Sequence, residues 1–264
     1  MRSSDSLANR FAHLQQAARN DPQPGAAVRE RRLLALDRLL LDNAEALAAA
    51  VGSDFGQRAP AETRLLELFP SHEAVRHARR HLRRWMRPQR RPVSLWFQPA
   101  RAEVRYQPLG AVGIIVPWNY PIFLAAAPLA GALAAGNRVL VKMSEFTPAT
   151  ASLFAELVRR NFDEDELSVV EGDIGVAQEF SRLPFDHLLF TGSTQVGRHV
   201  MHAAADNLTP VTLELGGKSP AIIAPGPTSS ALFAHAVERI IVGKCMNAGQ
   251  TCIAPDYLLL PAGQ

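Results

Sequence analysis

Residues 29–51, RERRLLALDRLLLDNAEALAAAV, return leucine at helical spacing with charged residues between, which predicts one amphipathic helix lying on a core. Residues 62–69 and 71–85 predict two further helices divided at Pro70, and Pro88 and Pro92 close this N-terminal helical region. The period then changes. Over residues 93–115 the chain alternates or runs with β-branched and aromatic residues and breaks at Gln98-Pro99 and Gln107-Pro108, which predicts a hairpin followed by a buried strand. Beyond it, helical patterns at 122–135, 147–161, 176–182 and 195–206 alternate with short apolar runs at 138–142, 167–171, 187–190 and 211–215. Strand then helix, repeated, predicts an α/β fold: a doubly wound, mostly parallel sheet with helices on both faces. Such a sheet binds ligands at the carboxyl ends of its strands.

Composition changes this picture little. A chain of 264 residues, 47% hydrophobic and 20% charged, reads as an ordinary soluble globular protein. Two cysteines, Cys245 and Cys252, are too few and too close for a disulfide framework, and the start MRSSDSLANRF has no apolar h-region, so a cytoplasmic setting is expected. Residues 106–137 carry no charge and imitate a membrane span, but Pro117, Asn119, Pro121 and Pro128 interrupt the run, and no span is expected. The net charge of +3 is unevenly spread: Arg76, Arg79, Arg80, Arg83, Arg84, Arg87, Arg90 and Arg91 crowd around Trp85. That run is read as a solvated or subunit-facing surface, with a nucleic-acid or anionic-surface binder as the alternative, because charge alone carries no base-reading chemistry.

Four candidate sites fall where predicted strand ends meet loops. In Val116-Pro-Trp-Asn-Tyr-Pro121, prolines fix the backbone around Asn119, whose amide could donate to a developing oxyanion or only stiffen a turn. Lys142 and Glu145 leave the strand 138–142 together and could hold ribose hydroxyls, or form a surface ion pair. Phe190-Thr-Gly-Ser-Thr-Gln-Val-Gly197 joins a strand to a helix: Gly192 and Gly197 permit close backbone approach, and Ser193 or Thr194 can cap a helix N-terminus that favours phosphate, or the stretch is an ordinary capped turn. Its spacing is neither the G-x-G-x-x-G fingerprint nor a Walker loop. Last, Glu214 ends an apolar strand, where partial desolvation would suit a general base, and Cys252 sits in GQTCIAPDY on an expected exposed turn, as a nucleophile would.

The series FGQRAPAET, PWNYP, KMSEFTP, LLFTGST, LELGGKSP and GQTCIAPDY resembles, in order and over nearly the whole chain, the aldehyde dehydrogenase superfamily. The resemblance implies NAD-dependent oxidation of an aldehyde to its acid, NADP being possible, with Cys252 as nucleophile, Asn119 and the Cys252 N–H at the oxyanion, and Glu214 activating water. It further implies Lys142 and Glu145 at the adenosine ribose, Ser193 at the pyrophosphate, Trp118, Gly172 and Leu215 along the cofactor wall, and Gly192 and Gly197 also at the cofactor, with no metal. The implied substrate is a small-molecule aldehyde, aromatic or bulky and apolar, coniferyl aldehyde being the specific expectation. The implied architecture is a Rossmann-like cofactor domain of residues 1–92 and 106–212, an arm at 93–105 that joins subunits into a homo-oligomer, and an incomplete catalytic domain at 213–264. A catalytically inactive remnant that keeps dinucleotide binding is the second reading.

Three features depart from the family's pattern. The later Glu-x-Phe-Gly-Pro motif is missing, so the chain reads as a fragment ending just after its nucleophile. Met143 stands where many relatives carry proline, and the loop 225–234 reads as expanded.

Overall fold

The computed structural model describes residues 6–224 and 230–261. Its N-terminal part is helical: α1 (Leu7–Asn20), α2 (Ala26–Asp42), α3 (Ala44–Asp54), the single turn α4 (Pro60–Thr63), a π-helical segment Arg64–Leu68, and α5 (Phe69–Trp85). The helix expected over 29–51 is broken at Asn43, which leaves helical geometry at φ −118°, ψ 19° and donates its side-chain amide to the Leu39 carbonyl. A second difference is at Pro70, which does not divide two helices. It sits in the first turn of α5, where its missing N–H is no loss, and the preceding π-turn carries the chain through.

The hairpin also lies differently from the sequence reading. Its strands are β1 (Gln89–Arg91) and β2 (Ala102–Val104), antiparallel with Gln89 opposite Val104, so the pairing begins before Val93. Pro92 ends the ladder because it has no N–H to give, and the apolar run after it forms a 3₁₀ turn, Leu95–Phe97, at the surface.

Alternating elements follow: β3 (Ala111–Ile115), α6 (Phe123–Ala135), β4 (Arg138–Lys142), α7 (Pro148–Asn161), β5 (Leu167–Val170), α8 (Ile174–Ser181), β6 (His187–Gly192), α9 (Thr194–Ala205) and β7 (Val211–Leu215). The five strands form one parallel sheet in the order β5, β4, β3, β6, β7. The chain therefore winds outward from β3 to β5, crosses back to β6 beside β3, and winds outward again. Between β3 and β6 lies the switch point where a doubly wound sheet opens a crevice. Residues 219–261 add a parallel pair, β8 (Ser219–Ile222) with β9 (Pro255–Leu259), α10 (Ser230–Cys245) and a 3₁₀ segment Met246–Gly249. Of the loop read as expanded, residues 225–229 lie outside the described residues, and from Ser230 onward the chain is helical rather than loop.

Strand alternation divides the interior in two. Val112, Ile114, Val139 and Val141 face α2, α5, α6 and α7 in one core, while Leu140, Val170 and Leu188 face Phe11, Phe180 and Phe185 in the other. Carboxylates from the helical region cap the helices of the sheet. Asp54 accepts from the Ala149 and Thr150 N–H groups at 2.9 and 2.8 Å at the start of α7, and Glu67 accepts from Ile122 and Phe123 at 2.7 and 3.2 Å at the start of α6. A buried pair also ties α2 to the sheet: Glu166, just before β5, accepts from Arg32 Nε at 3.0 Å and from Arg31. Burial pushes the Glu166 carboxyl up, but the hydrogen bonds and charges of Arg31 and Arg32 outweigh it and hold it below the usual carboxylate range. The run 106–137 is loop, buried strand and a helix containing Pro128; among the described residues no helix is long and apolar enough to cross a membrane.

Candidate active site

An open cleft of about 870 Å³ lies at the carboxyl edge of the sheet. The loop after β3 brings Trp118 and Asn119 to it, the loop after β6 brings Gly192 and Ser193, the end of β7 brings Glu214 and Leu215, and the C-terminal turn brings Cys252. The loops after β3 and β6 flank the switch point, β7 lies beside β6, and Asn119 and Tyr120 tie the C-terminal turn to the loop after β3 through Gln250 and Thr251. Lys142, Glu145, Gly172 and Gly197 do not line that cleft. The first three stand beyond its β3 side, since Lys142 pairs with Ile115 of β3 and Val170 of β5 at the same end of the sheet.

Lys142 is 1% exposed, so its pair with Glu145 at 3.7 Å is not a surface ion pair. Its Nζ donates to the Met143 carbonyl at 2.7 Å. Burial pushes the Lys142 ammonium down, and the Glu145 and Asp173 carboxylates pull it back. Ser193 caps α9, its hydroxyl accepting from Val196 N–H at 3.3 Å, which leaves the first N–H groups of that helix at the cleft rim. Gly172 has φ +137°, and a Cβ there would lie 2.6 Å from Val176, so only glycine fits the turn. Gly197 is buried inside α9, where a Cβ would lie 2.9 Å from Leu215 Cδ2; in this structure it serves helix-to-strand packing. A buried lysine beside a surface carboxylate after β4, and a capped helix N-terminus after β6 with β3 between them, are a donor and acceptor set that could hold a dinucleotide: hydroxyls at the first, phosphate at the second.

Cys252 is exposed on a turn, as its neighbours predict, and Cys245 is also a free, exposed thiol. Asn119 is more than a stiff turn residue. Its amide donates to the Gln250 carbonyl at 2.8 Å, and its own carbonyl accepts from Asn247 Nδ2 at 2.8 Å. The partial desolvation expected of Glu214 is not found. Its side chain is exposed: Val211 and Leu213 of β7 pack into the second core and Leu215 lies against Gly197 of α9, so strand alternation turns Glu214 to the opposite face, toward the open cleft.

Residues that the sequence pattern did not single out also reach the cysteine turn. Glu62 Oε1 accepts from Asn247 N–H at 2.6 Å, and the Tyr120 hydroxyl bonds Thr251 Oγ1. Both belong to motifs legible in the chain, FGQRAPAET and PWNYP, but contacts across 185 and 131 positions leave no local periodicity to read.

Three of the eight arginines in the run have acidic partners within the chain: Arg76 pairs with Glu73, Arg79 with Asp37 and Arg83 with Glu30. These contacts favour a solvated helix face over a free phosphate-binding stripe.

The Aldehyde dehydrogenase family model matches residues 9–263. The chain belongs to the aldehyde dehydrogenase family. It is 55% identical over 252 residues to the "Probable coniferyl aldehyde dehydrogenase" of Pseudomonas aeruginosa, covering 96% of this chain and 52% of that protein. Among solved structures, the substrate-bound state of AldH from Staphylococcus aureus superposes with a TM-score of 0.91 at 35% identity, over 97% of this chain and 55% of that one. A Mycobacterium tuberculosis aldehyde dehydrogenase complexed with NAD+ gives 0.83 at 31% identity, over 95% and 51%. The chain thus spans about half the length of the relatives it matches.

Proposed function

We propose that this chain carries the cofactor-binding part and the nucleophile of an NAD(P)-dependent aldehyde dehydrogenase acting on an aromatic or bulky apolar aldehyde, coniferyl aldehyde first among them. The observation that carries this is the convergence of Asn119, Ser193, Glu214 and Cys252 on one cleft at the sheet's switch point. In this reading Cys252 Sγ, as the thiolate, bonds to the carbonyl carbon, and the carbonyl π electrons move to oxygen. The Cys252 N–H and the amide hydrogen of Asn119 not given to Gln250 receive that oxyanion. NAD, which Lys142, Glu145 and Ser193 would hold, would supply the two-electron acceptor for the hydride on that carbon, and as the oxyanion's electron pair re-formed the carbonyl the acyl group would be left as a thioester on Sγ. Glu214 takes a proton from water, the water oxygen bonds to the acyl carbon, and Sγ leaves with its electron pair, giving the carboxylic acid.

Lys142 and Glu145 hold the adenosine ribose, Ser193, Gly192 and the start of α9 the pyrophosphate, and Trp118, Gly172 and Leu215 the walls, with Gly197 keeping α9 close. Glu145 accepts from free ribose hydroxyls, which favours NAD over NADP. To this reading belong the cofactor domain of residues 1–92 and 106–212, an arm around 93–105 that joins a second copy, and the opening of a catalytic domain at 213–264. A cytoplasmic setting is supported by the two free thiols.

The test is absorbance of reduced cofactor when the chain meets coniferyl aldehyde with NAD, then with NADP. Turnover that disappears in Cys252→Ser and persists in Cys245→Ser is expected; equal sensitivity of the two cysteines overturns the assignment. A second reading is dinucleotide binding without turnover, and stoichiometric binding with no reduced cofactor would select it.

A further inference from the structure

The segment 55–63, FGQRAPAET, supplies no group to the reaction above, yet the Glu62 side chain reaches the turn 247–249, which precedes Cys252 by three residues. That turn is strained. Asn247, Ala248 and Gly249 stand in succession at φ 51°, 52° and 79°, a left-handed run that only glycine enters without cost. Residues held in this way persist only where their surroundings over-determine them.

Here the surroundings do so from three sides. Glu62 Oε1 accepts the Asn247 N–H at 2.6 Å, and Gln250 Nε2 donates to the Asn247 carbonyl at 3.0 Å. The loop after β3 adds Asn119 on Gln250 and on Asn247 Nδ2, and Tyr120 on Thr251. Tyr120 is itself fixed. The Arg58 guanidinium lies over its ring at 5.3 Å and over the Phe55 ring at 5.2 Å, and Arg58 Nη1 donates to Glu67 Oε1 at 2.7 Å. The second oxygen of Glu67 holds the Ile122 and Phe123 N–H groups, just past Tyr120. One short stretch of the N-terminal region therefore grips both the cysteine turn and the tyrosine that touches it.

We propose that Glu62, together with Arg58 acting through Tyr120, positions Cys252 by holding turn 247–249 in its left-handed form. The catalytic consequence rests on the reading of Cys252 as nucleophile; the structural claim does not. Loss of the Glu62 acceptor frees the Asn247 N–H, and the turn relaxes toward backbone angles that Asn247 and Ala248 prefer, moving the thiol.

The experiment is competitive alkylation of the whole chain by iodoacetamide, with Cys252 and Cys245 peptides quantified by mass spectrometry so that Cys245 serves as internal reference. Glu62→Ala is expected to move the Cys252 to Cys245 rate ratio by about threefold or more, while Glu62→Gln, which keeps an acceptor oxygen, stays at the parent value. Ala248→Gly placed in the Glu62→Ala background returns the ratio toward the parent, because glycine accepts the left-handed angles freely. Tyr120→Phe, which removes a single hydroxyl and keeps the ring beneath Arg58, moves the ratio in the same direction as Glu62→Ala and serves where that variant does not fold. Equal shifts in Glu62→Ala and Glu62→Gln would mean the carboxylate acts by charge alone and overturn the proposal, as would an unmoved ratio in Tyr120→Phe. Turnover retained by Cys252→Ser sinks the nucleophile reading and leaves the labelling result standing, so the two failures are distinguishable.

Discussion

The side-chain amide of Asn119 donates to the Gln250 carbonyl at 2.8 Å, joining the loop after β3 to the cysteine turn 131 positions later. One amide hydrogen is thereby committed to the scaffold, and the proposed oxyanion role would use the other, so the two roles separate by substitution. Asn119→Asp sets a carboxylate oxygen against the Gln250 carbonyl, and Asn119→Ala only deletes the donor. Chemical denaturation should show both destabilised by about 1–3 kcal/mol, the aspartate more, since it leaves two acceptors facing each other. Where turnover is measurable, Asn119→Ala should lower kcat by roughly 10²–10³-fold through loss of an oxyanion donor. A variant that loses stability and keeps kcat would make Asn119 a scaffold residue only.

Lys142 offers a test of the cofactor side that does not depend on turnover. Its ammonium is buried, bonded to the Met143 carbonyl, and paired only loosely with Glu145. Lys142→Met keeps the length and apolar stem, so melting should change little or rise, because a desolvated charge is removed. Dinucleotide affinity, measured by calorimetry, should fall about tenfold, roughly 1.4 kcal/mol, if the ammonium donates to a ribose hydroxyl. Unchanged affinity would return Lys142 to a structural role.

Glu166 governs part of the acid sensitivity of the fold. Arg31 and Arg32 hold its carboxyl below the ordinary value of 4.5, so its contribution is fully present above that pH and is lost as pH falls through the lower folded value. Glu166→Gln should flatten the decline in unfolding free energy below about pH 4.5 while lowering stability at neutral pH, because Arg32, 1% exposed, is left without its counter-charge. The check is denaturant unfolding at a series of pH values; parallel curves for parent and variant would remove Glu166 from the acid limb.

How much of this was legible varied with how local its cause was. The strand 138–142 could be read to its limits because β3 and β5 flank it and both faces are covered, so its apolar run is continuous. The break at Asn43 was not legible, since LLLDNAEAL holds neither glycine nor proline and the kink depends on one side chain bonding the turn behind it. The hairpin was displaced because its ladder runs through Gln89, Arg90 and Arg91, and backbone pairing leaves no hydrophobic alternation in an exposed strand. At the site, Asn119 and Cys252 stood out by their neighbours. The exposure of Glu214 did not, because which face of a strand is covered is a property of the assembled layers.

The exposed apolar side chains between β1 and β2 lead to the last expectation. Leu95, Trp96 and Phe97 form a 3₁₀ turn at 81%, 90% and 69% exposure, at the tip of the strand pair β1 and β2. Three consecutive large apolar groups in water are unfavourable for a monomer, and burying one such side chain is worth about 1.5–3 kcal/mol. Pro92 and Pro99 bracket the turn and withhold backbone donors, so the contact it offers is made by side chains rather than by adding strands. If a second copy covers this tip, Trp96→Glu should lower the mass measured by light scattering at a given concentration, with the melting profile of the isolated chain nearly unchanged because Trp96 supports no internal core. Arg83→Ala, on an exposed helix face with Glu30 as partner, should leave that mass as it was. A mass that ignores Trp96→Glu would assign the apolar tip to some contact other than self-association.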